Sequence, residues 1–206
     1  MDDMALSIEP GRLLPSGGEG KRSSGWWGVC ALIVTEASLF GYLLFSYFYL
    51  ASQSEQQWPP EGLPKLGIGS VNTIILIASS VLVWASERCI KLAQPVRSRY
   101  LLTGGIVLGI LFVTIQMHEW GAKSYGMTSN IYGALYFTIT GFHMLHVIVG
   151  LIILSLLLLW NCLGYFNPQR FVAVKIGGLY WHFVDVVWLF VFTTIYLTPY
   201  LAESVK

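Results

Sequence analysis

The sequence predicts an all-α, polytopic membrane protein with five transmembrane helices in one bundle, its N-terminus in the cytoplasm and its C-terminus outside. Three observations carry that reading. Of the 206 residues 55% are hydrophobic and only 11% charged, with mean hydropathy +0.63, whereas a soluble domain carries about 25% charged residues. Five apolar segments are each long enough to cross a hydrocarbon layer of ~30 Å as a helix. Lys and Arg collect on one side of the resulting topology. Spanning strands would need alternating segments of about ten residues, and that pattern is absent. A net charge of +1 with no basic run offers nothing to a nucleic acid.

Residues 1–25, MDDMALSIEPGRLLPSGGEGKRSSG, are rich in Gly, Pro and Ser. They have no basic start followed by an apolar stretch, so no cleavable signal peptide is expected, and they read as a flexible or surface-lying tail. Residues 26–206 form the bundle, with helices at about 26–50, 68–90, 100–122, 131–160 and 179–201. The tail, the 2–3 loop and the 4–5 loop share one side and hold Arg12, Lys21, Arg22, Arg88, Lys91, Arg97, Arg99, Arg170 and Lys175. The other side has Lys65, Lys123 and Lys206. This excess places the N-terminus in the cytoplasm. Trp26, Trp27, Trp120, Tyr180, Trp181 and Tyr200 fall where interfacial aromatic anchors belong.

The polar residues inside the spans are the candidate functional groups. Glu36 lies about ten residues into the first helix, roughly 15 Å deep at 1.5 Å per residue. A carboxyl there must face protein or water, pair with a donor, or stay protonated. Helix four carries His143 and His146 at i and i+3, hence on one face, at a comparable depth. Glu36 is therefore expected to pair with His143 or His146, in a structural or a proton-linked role. Metal chemistry has one argument for it, since H-x-x-H with a nearby carboxylate can ligate zinc or iron. No Glu-x-x-His pair of the di-iron type and no third ligand on that turn accompany it, so no metal is expected.

Haem ligation needs two histidines on facing helices at equal depth. His118, near the outer end of helix three, and His182, placed near the inner end of helix five, do not match. In helix five His182 and Asp185 stand three apart on one face, with Asp185 about 9 Å beyond Tyr180, so both read as a docking or helix-end pair near the cytoplasmic surface. Glu119, closing helix three in QMHEW, reads as a solvated end-charge. Gly105 and Gly109 form a G-x-x-x-G that permits close helix contact, and Asn72, Ser79 and Ser80 mark helix two as packed against protein. Cys30, Cys89 and Cys162 form no C-x-x-C and read as small apolar fillers.

Together, YWHFVDVVWLF (180–190), TGFHMLHVIVG (140–150), WPPEG (58–62), NTIILIASS (72–80), QMHEW (116–120) and TEASLF around Glu36 resemble subunit III of the haem–copper oxidases, the cytochrome c oxidase subunit III family, in its short five-helix bacterial form. The matches run in family order from about residue 26 to 200. The resemblance implies a multi-pass accessory subunit in the bacterial cytoplasmic (inner) membrane. Such a subunit has no redox centre of its own, stabilises the catalytic subunit and supports proton uptake during oxygen reduction. It implies haem and copper in partner subunits, subunit I as the main contact with subunit II and others nearby, and phospholipid as a possible ligand. Glu36 then corresponds to the family's buried carboxylate, known for carbodiimide reactivity. His143, His146, His182, Asp185 and Glu119 become network and subunit-contact residues.

The sequence departs from the longest family members, which have two further N-terminal helices enclosing a lipid cleft. It also reads WASER at the inner end of helix two, where many relatives have a histidine pair. Alternatives are subunit III of a quinol oxidase, the related subunit of a nitric oxide reductase, an independent metal-dependent membrane enzyme, and a proton-coupled transporter. The last is opposed by the lack of inverted repeats or interrupted half-helices.

Overall fold

The computed structural model of the chain describes residues 24–204, apart from 55–57, 61 and 169. The expected tail, up to residue 23, lies outside the described residues. Helix α1 spans Ser24–Gln53, α2 Leu66–Lys91, α3 Pro95–Gly121, α4 Ile131–Cys162 and α5 Val172–Phe192. From there α5 runs through a π-helical turn, Thr193–Leu197, into α6, Thr198–Ser204. Among the described residues five helices are long and apolar enough to cross a membrane, the fifth being Val172–Leu201. Among the described residues strand-like pairing is limited to an isolated bridge between Asn167 and Arg170.

Local chemistry sets the helix ends. Pro95 opens α3 at its first turn, where the missing N–H costs nothing. The turn from α2 to α3 closes in a Schellman arrangement: Gln94 N–H donates to the Cys89 carbonyl at 2.9 Å, and Ala93 takes a left-handed φ of 56°. Helix α4 ends in the same way, with Tyr165 N–H on the Trp160 carbonyl at 3.1 Å and Gly164 at φ 78°. Its start is capped by Asn130, whose Oδ1 accepts from Gly133 N–H at 2.6 Å.

The core gathers around α5. Trp181 and Trp188 are fully buried, and their indole N–H groups donate to Ser79 Oγ and Thr73 Oγ1 of α2, each at 3.0 Å. Small residues make this possible. A Cβ on Gly150 of α4 would stand 2.7 Å from the Trp181 ring, and one on Gly109 of α3 would stand 2.9 Å from it. Of the two glycines in the sequence's G-x-x-x-G, Gly109 thus admits an indole, while Gly105 faces Val83 of α2. Helix α1 sits at the edge, held against α4 and α5 through Val29, Phe40 and Tyr47 while most of its surface faces outward.

The fifth helix differs from its expected limits. It begins at Val172 rather than near 179, because Lys175 sits exposed in the first turn and Gly177 is a packing contact instead of a loop residue. A Cβ there would meet Leu157 Cδ1 at 2.6 Å. Asp185 therefore lies thirteen residues in, about 20 Å along the helix. Placing His182 and Asp185 near the inner end of the helix is corrected: they stand at mid-span, level with the middle of α2.

Candidate functional site: polar groups buried between the helices

Three of the polar groups set into the bundle hold the candidate residues. In the first, Glu36 Oε2 on α1 meets His146 Nε2 on α4 at 3.0 Å. The other ring nitrogen, Nδ1, stands 2.7 Å from the Phe142 carbonyl oxygen one turn back. A carbonyl only accepts, so Nδ1 carries a hydrogen. It follows that the Glu36–His146 contact holds one proton, whether drawn as a carboxylic acid donating to neutral imidazole or as imidazolium donating to carboxylate. In both forms the pair is neutral overall, which suits its depth in an apolar layer. It opens onto a groove of ≈ 440 Å³ between α1 and α4, lined by Leu32, Leu39, Phe142, Leu145 and Tyr180 among others. The Glu36 side chain is 25% exposed and that of His146 12%.

His143, one turn away on α4, does not join this pair. It is fully buried, and its Nε2 donates to the Val184 carbonyl of α5 at 3.2 Å. Its ring lies 4.9 Å from that of Trp188 and 5.7 Å from that of Phe112. Two histidines on one helix face thus do different work: one ties α4 to α1, the other α4 to α5. Phe40 of α1 packs edge-on against His146 at 5.1 Å.

The second group joins α2 and α5. Ser80 Oγ and His182 Nδ1 are 2.5 Å apart, and Asp185 Oδ2 is 4.0 Å from the same nitrogen. Asp185 is 7% exposed, and neither carboxyl oxygen has a hydrogen-bond partner among the described residues.

The third group corrects the reading of Glu119 as a solvated end-charge. Its neighbour His118 is exposed, but Glu119 itself is only 5% exposed. Tyr196 O–H reaches its two oxygens at 2.8 and 2.9 Å, Tyr136 O–H reaches Oε1 at 3.4 Å, and Lys123 Nζ lies 3.1 Å from Oε1. One turn deeper, Asn72 Nδ2 donates to Gln116 Oε1 at 3.3 Å. Tyr196 reaches Glu119 from the π turn, whose extra residue leaves Thr194, Ile195 and Tyr196 all buried in succession.

Sequence reasoning missed Tyr196, Tyr136 and Lys123 as partners of Glu119, and Ser80 as the partner of His182. Lys123, at i+4 from Glu119, was legible as an ion-pair spacing; a tyrosine 77 residues away leaves no such signal. Among the described residues no three His, Cys, Asp or Glu side chains converge as a metal site would require. The cysteines are free, with Cys89 buried, Cys30 half-buried and Cys162 exposed, so the reading of all three as fillers fails for Cys162.

Residues 21–200 match the family model described as cytochrome c oxidase subunit III. The chain is 35% identical over 175 residues to cytochrome c oxidase subunit 3 of Thermostichus vulcanus, a match covering 82% of this chain and 85% of that protein. To the protein of the same description from Synechocystis sp. it is 34% identical over 175 residues, covering 83% and 74%. To that of Gallus gallus it is 34% identical over 177 residues, covering 82% and 68%.

Proposed function

The chain belongs to the cytochrome c oxidase subunit III family, and from that premise we propose that it is the accessory, non-catalytic subunit of a proton-pumping terminal oxidase in a bacterial cytoplasmic membrane. It is a multi-pass membrane protein and part of an oxidoreductase complex. In this reading haem and copper reside in partner subunits. The bundle packs mainly against the haem–copper subunit I, with subunit II and others nearby, steadies it and supports proton uptake during oxygen reduction. The N-terminus faces the cytoplasm, in line with the Lys and Arg excess on that side. Phospholipid fills the outward-facing groove.

The observation that carries the proposal is the match to the family over residues 21–200. Its buried groups fit a structural or proton-linked part more readily than a catalytic one. Glu36 and His146 hold a single proton between them, His143 is closed off by Trp188 and Phe112, and Glu119 has its oxygens occupied by tyrosines and a lysine.

Purifying the tagged chain from its native membranes in mild detergent tests the proposal. A large haem–copper subunit is expected to accompany it, and haem absorbance to stay with that partner when the chain is separated. Haem absorbance in the separated chain, or a chain that purifies alone, overturns the reading. A nitric oxide reductase in place of the oxidase would redirect it.

A further inference from the structure

The α2–α5 face carries a polar group that the chain does not finish. Ser80 and His182 meet at mid-span: Ser80 lies fourteen residues into α2, about 21 Å from its start and about 16 Å from its end. Apolar side chains flank them on both helices, with Ile77, Val81 and Trp84 on α2 and Val186 and Leu189 on α5 all exposed. The spacings of four and three residues align each set on one outward stripe.

The Ser80 hydroxyl meets His182 at Nδ1. Whichever of the two atoms donates, the other ring nitrogen, Nε2, is not used by this contact. Nε2 has no partner among the described residues, and the His182 side chain is 34% exposed. Behind it the Asp185 carboxyl is enclosed without a hydrogen bond to either oxygen. A polar side chain facing hydrocarbon with its hydrogen bonds unmade is expensive, and ionisable groups in membrane spans face protein or water. Lipid tails offer no acceptor and no donor.

We propose that this face is covered, in the assembled oxidase, by a transmembrane helix of another oxidase subunit that presents a hydrogen-bonding side chain to His182 Nε2. The occupant is thus a helix with a hydroxyl, amide or ionisable side chain at mid-membrane depth, opposed to Val81 and Val186. The inference rests on the proposed membership of an oxidase complex and assigns the face and the contact that hold it there. The groove between α1 and α4 differs: its polar pair is closed internally, so lipid can cover it.

A photo-crosslinking amino acid placed at Val81 or at Val186, in the whole complex in native membranes, tests the assignment, with Leu145 in the α1–α4 groove as the contrast. Adducts to an oxidase subunit from Val81 and Val186, and to lipid from Leu145, are expected. Lipid adducts alone from both Val81 and Val186, while the complex still co-purifies, overturn the docking face and leave the proposed function standing. Failure to co-purify at all, in the unsubstituted protein, overturns the proposed function instead. His182→Asn keeps a hydrogen-bonding group and His182→Leu removes it. The Leu variant is expected to leave the complex about tenfold more readily in mild detergent, the worth of one lost buried hydrogen bond, and the Asn variant to stay within about twofold. Equal retention of the Leu variant and the unsubstituted chain removes His182 as the contact.

Discussion

Replacing Glu36 by alanine should weaken the attachment of α1 more than its modest burial implies. His146 Nδ1–H is committed to the Phe142 carbonyl at 2.7 Å, so Nε2 depends on Glu36 for its partner at 3.0 Å. Without the carboxyl, Nε2 is left as a lone pair in a groove lined by Leu32, Leu39, Phe142 and Leu145. A buried polar atom stripped of its partner costs about 1–3 kcal/mol. The groove opens outward and the Glu36 side chain is 25% exposed, which places the loss in the lower half, about 1–2 kcal/mol. Glu36→Gln tests the proton count. An amide N–H can donate to Nε2 in place of the shared proton, so this variant should lie within about 0.5 kcal/mol of the original.

The measurement is a double-mutant cycle on the assembled complex in bilayer discs. Glu36→Ala, His146→Ala and the double variant are compared by thermal or detergent-driven release of helical structure. Coupling of about 1 kcal/mol or more is expected between residues in such contact. Additive losses, or a Gln variant as damaging as the Ala variant, would refute the one-proton account.

Further predictions concern packing and the third polar group. Gly150→Ala should destabilise by about 1–3 kcal/mol, because its Cβ would stand 2.7 Å from an indole fixed by Ser79. Gly141→Ala, whose Cβ would have an ordinary 3.7 Å contact, should be neutral or slightly stabilising, and thermal melting of the two variants side by side separates them. Ala93→Gly should stabilise by up to about 1 kcal/mol, since a left-handed φ of 56° disfavours a side chain; a lower melting temperature would count against the Schellman turn. Tyr196→Phe removes the donor to both Glu119 oxygens and should cost about 1–3 kcal/mol, read as a lower melting temperature, with Lys123→Met in the same background failing to add its full separate loss.

The fold was legible because a hydrocarbon layer constrains sequence more tightly than a water-facing surface does. Five long apolar runs, the depth of Glu36 in α1 and the single face shared by His143 and His146 all follow from helix geometry. The misreading of helix five came from counting Lys175 as a loop cation. An exposed lysine is tolerated in a first turn, and Gly177 is selected by its contact with Leu157, a constraint that sequence periodicity does not carry.

The choice between His143 and His146 was likewise open, because both share one face. Rotation of α4 against α1 and α5, set by Gly150 accepting Trp181, decides it in favour of His146. Glu119 looked solvated because it ends a helix, and its real environment depends on a π turn that delivers Tyr196 from a distant part of the chain. Long-range polar pairs of that kind have no local spacing rule.

The central claim is that this family member serves an oxidase without performing its redox chemistry. Gentle removal of the chain from the purified complex, followed by oxygen consumption over successive turnovers, tests this most directly. The account predicts that haem content and the initial rate survive while activity decays sooner than in the intact complex. Immediate loss of oxygen reduction together with loss of haem would contradict it.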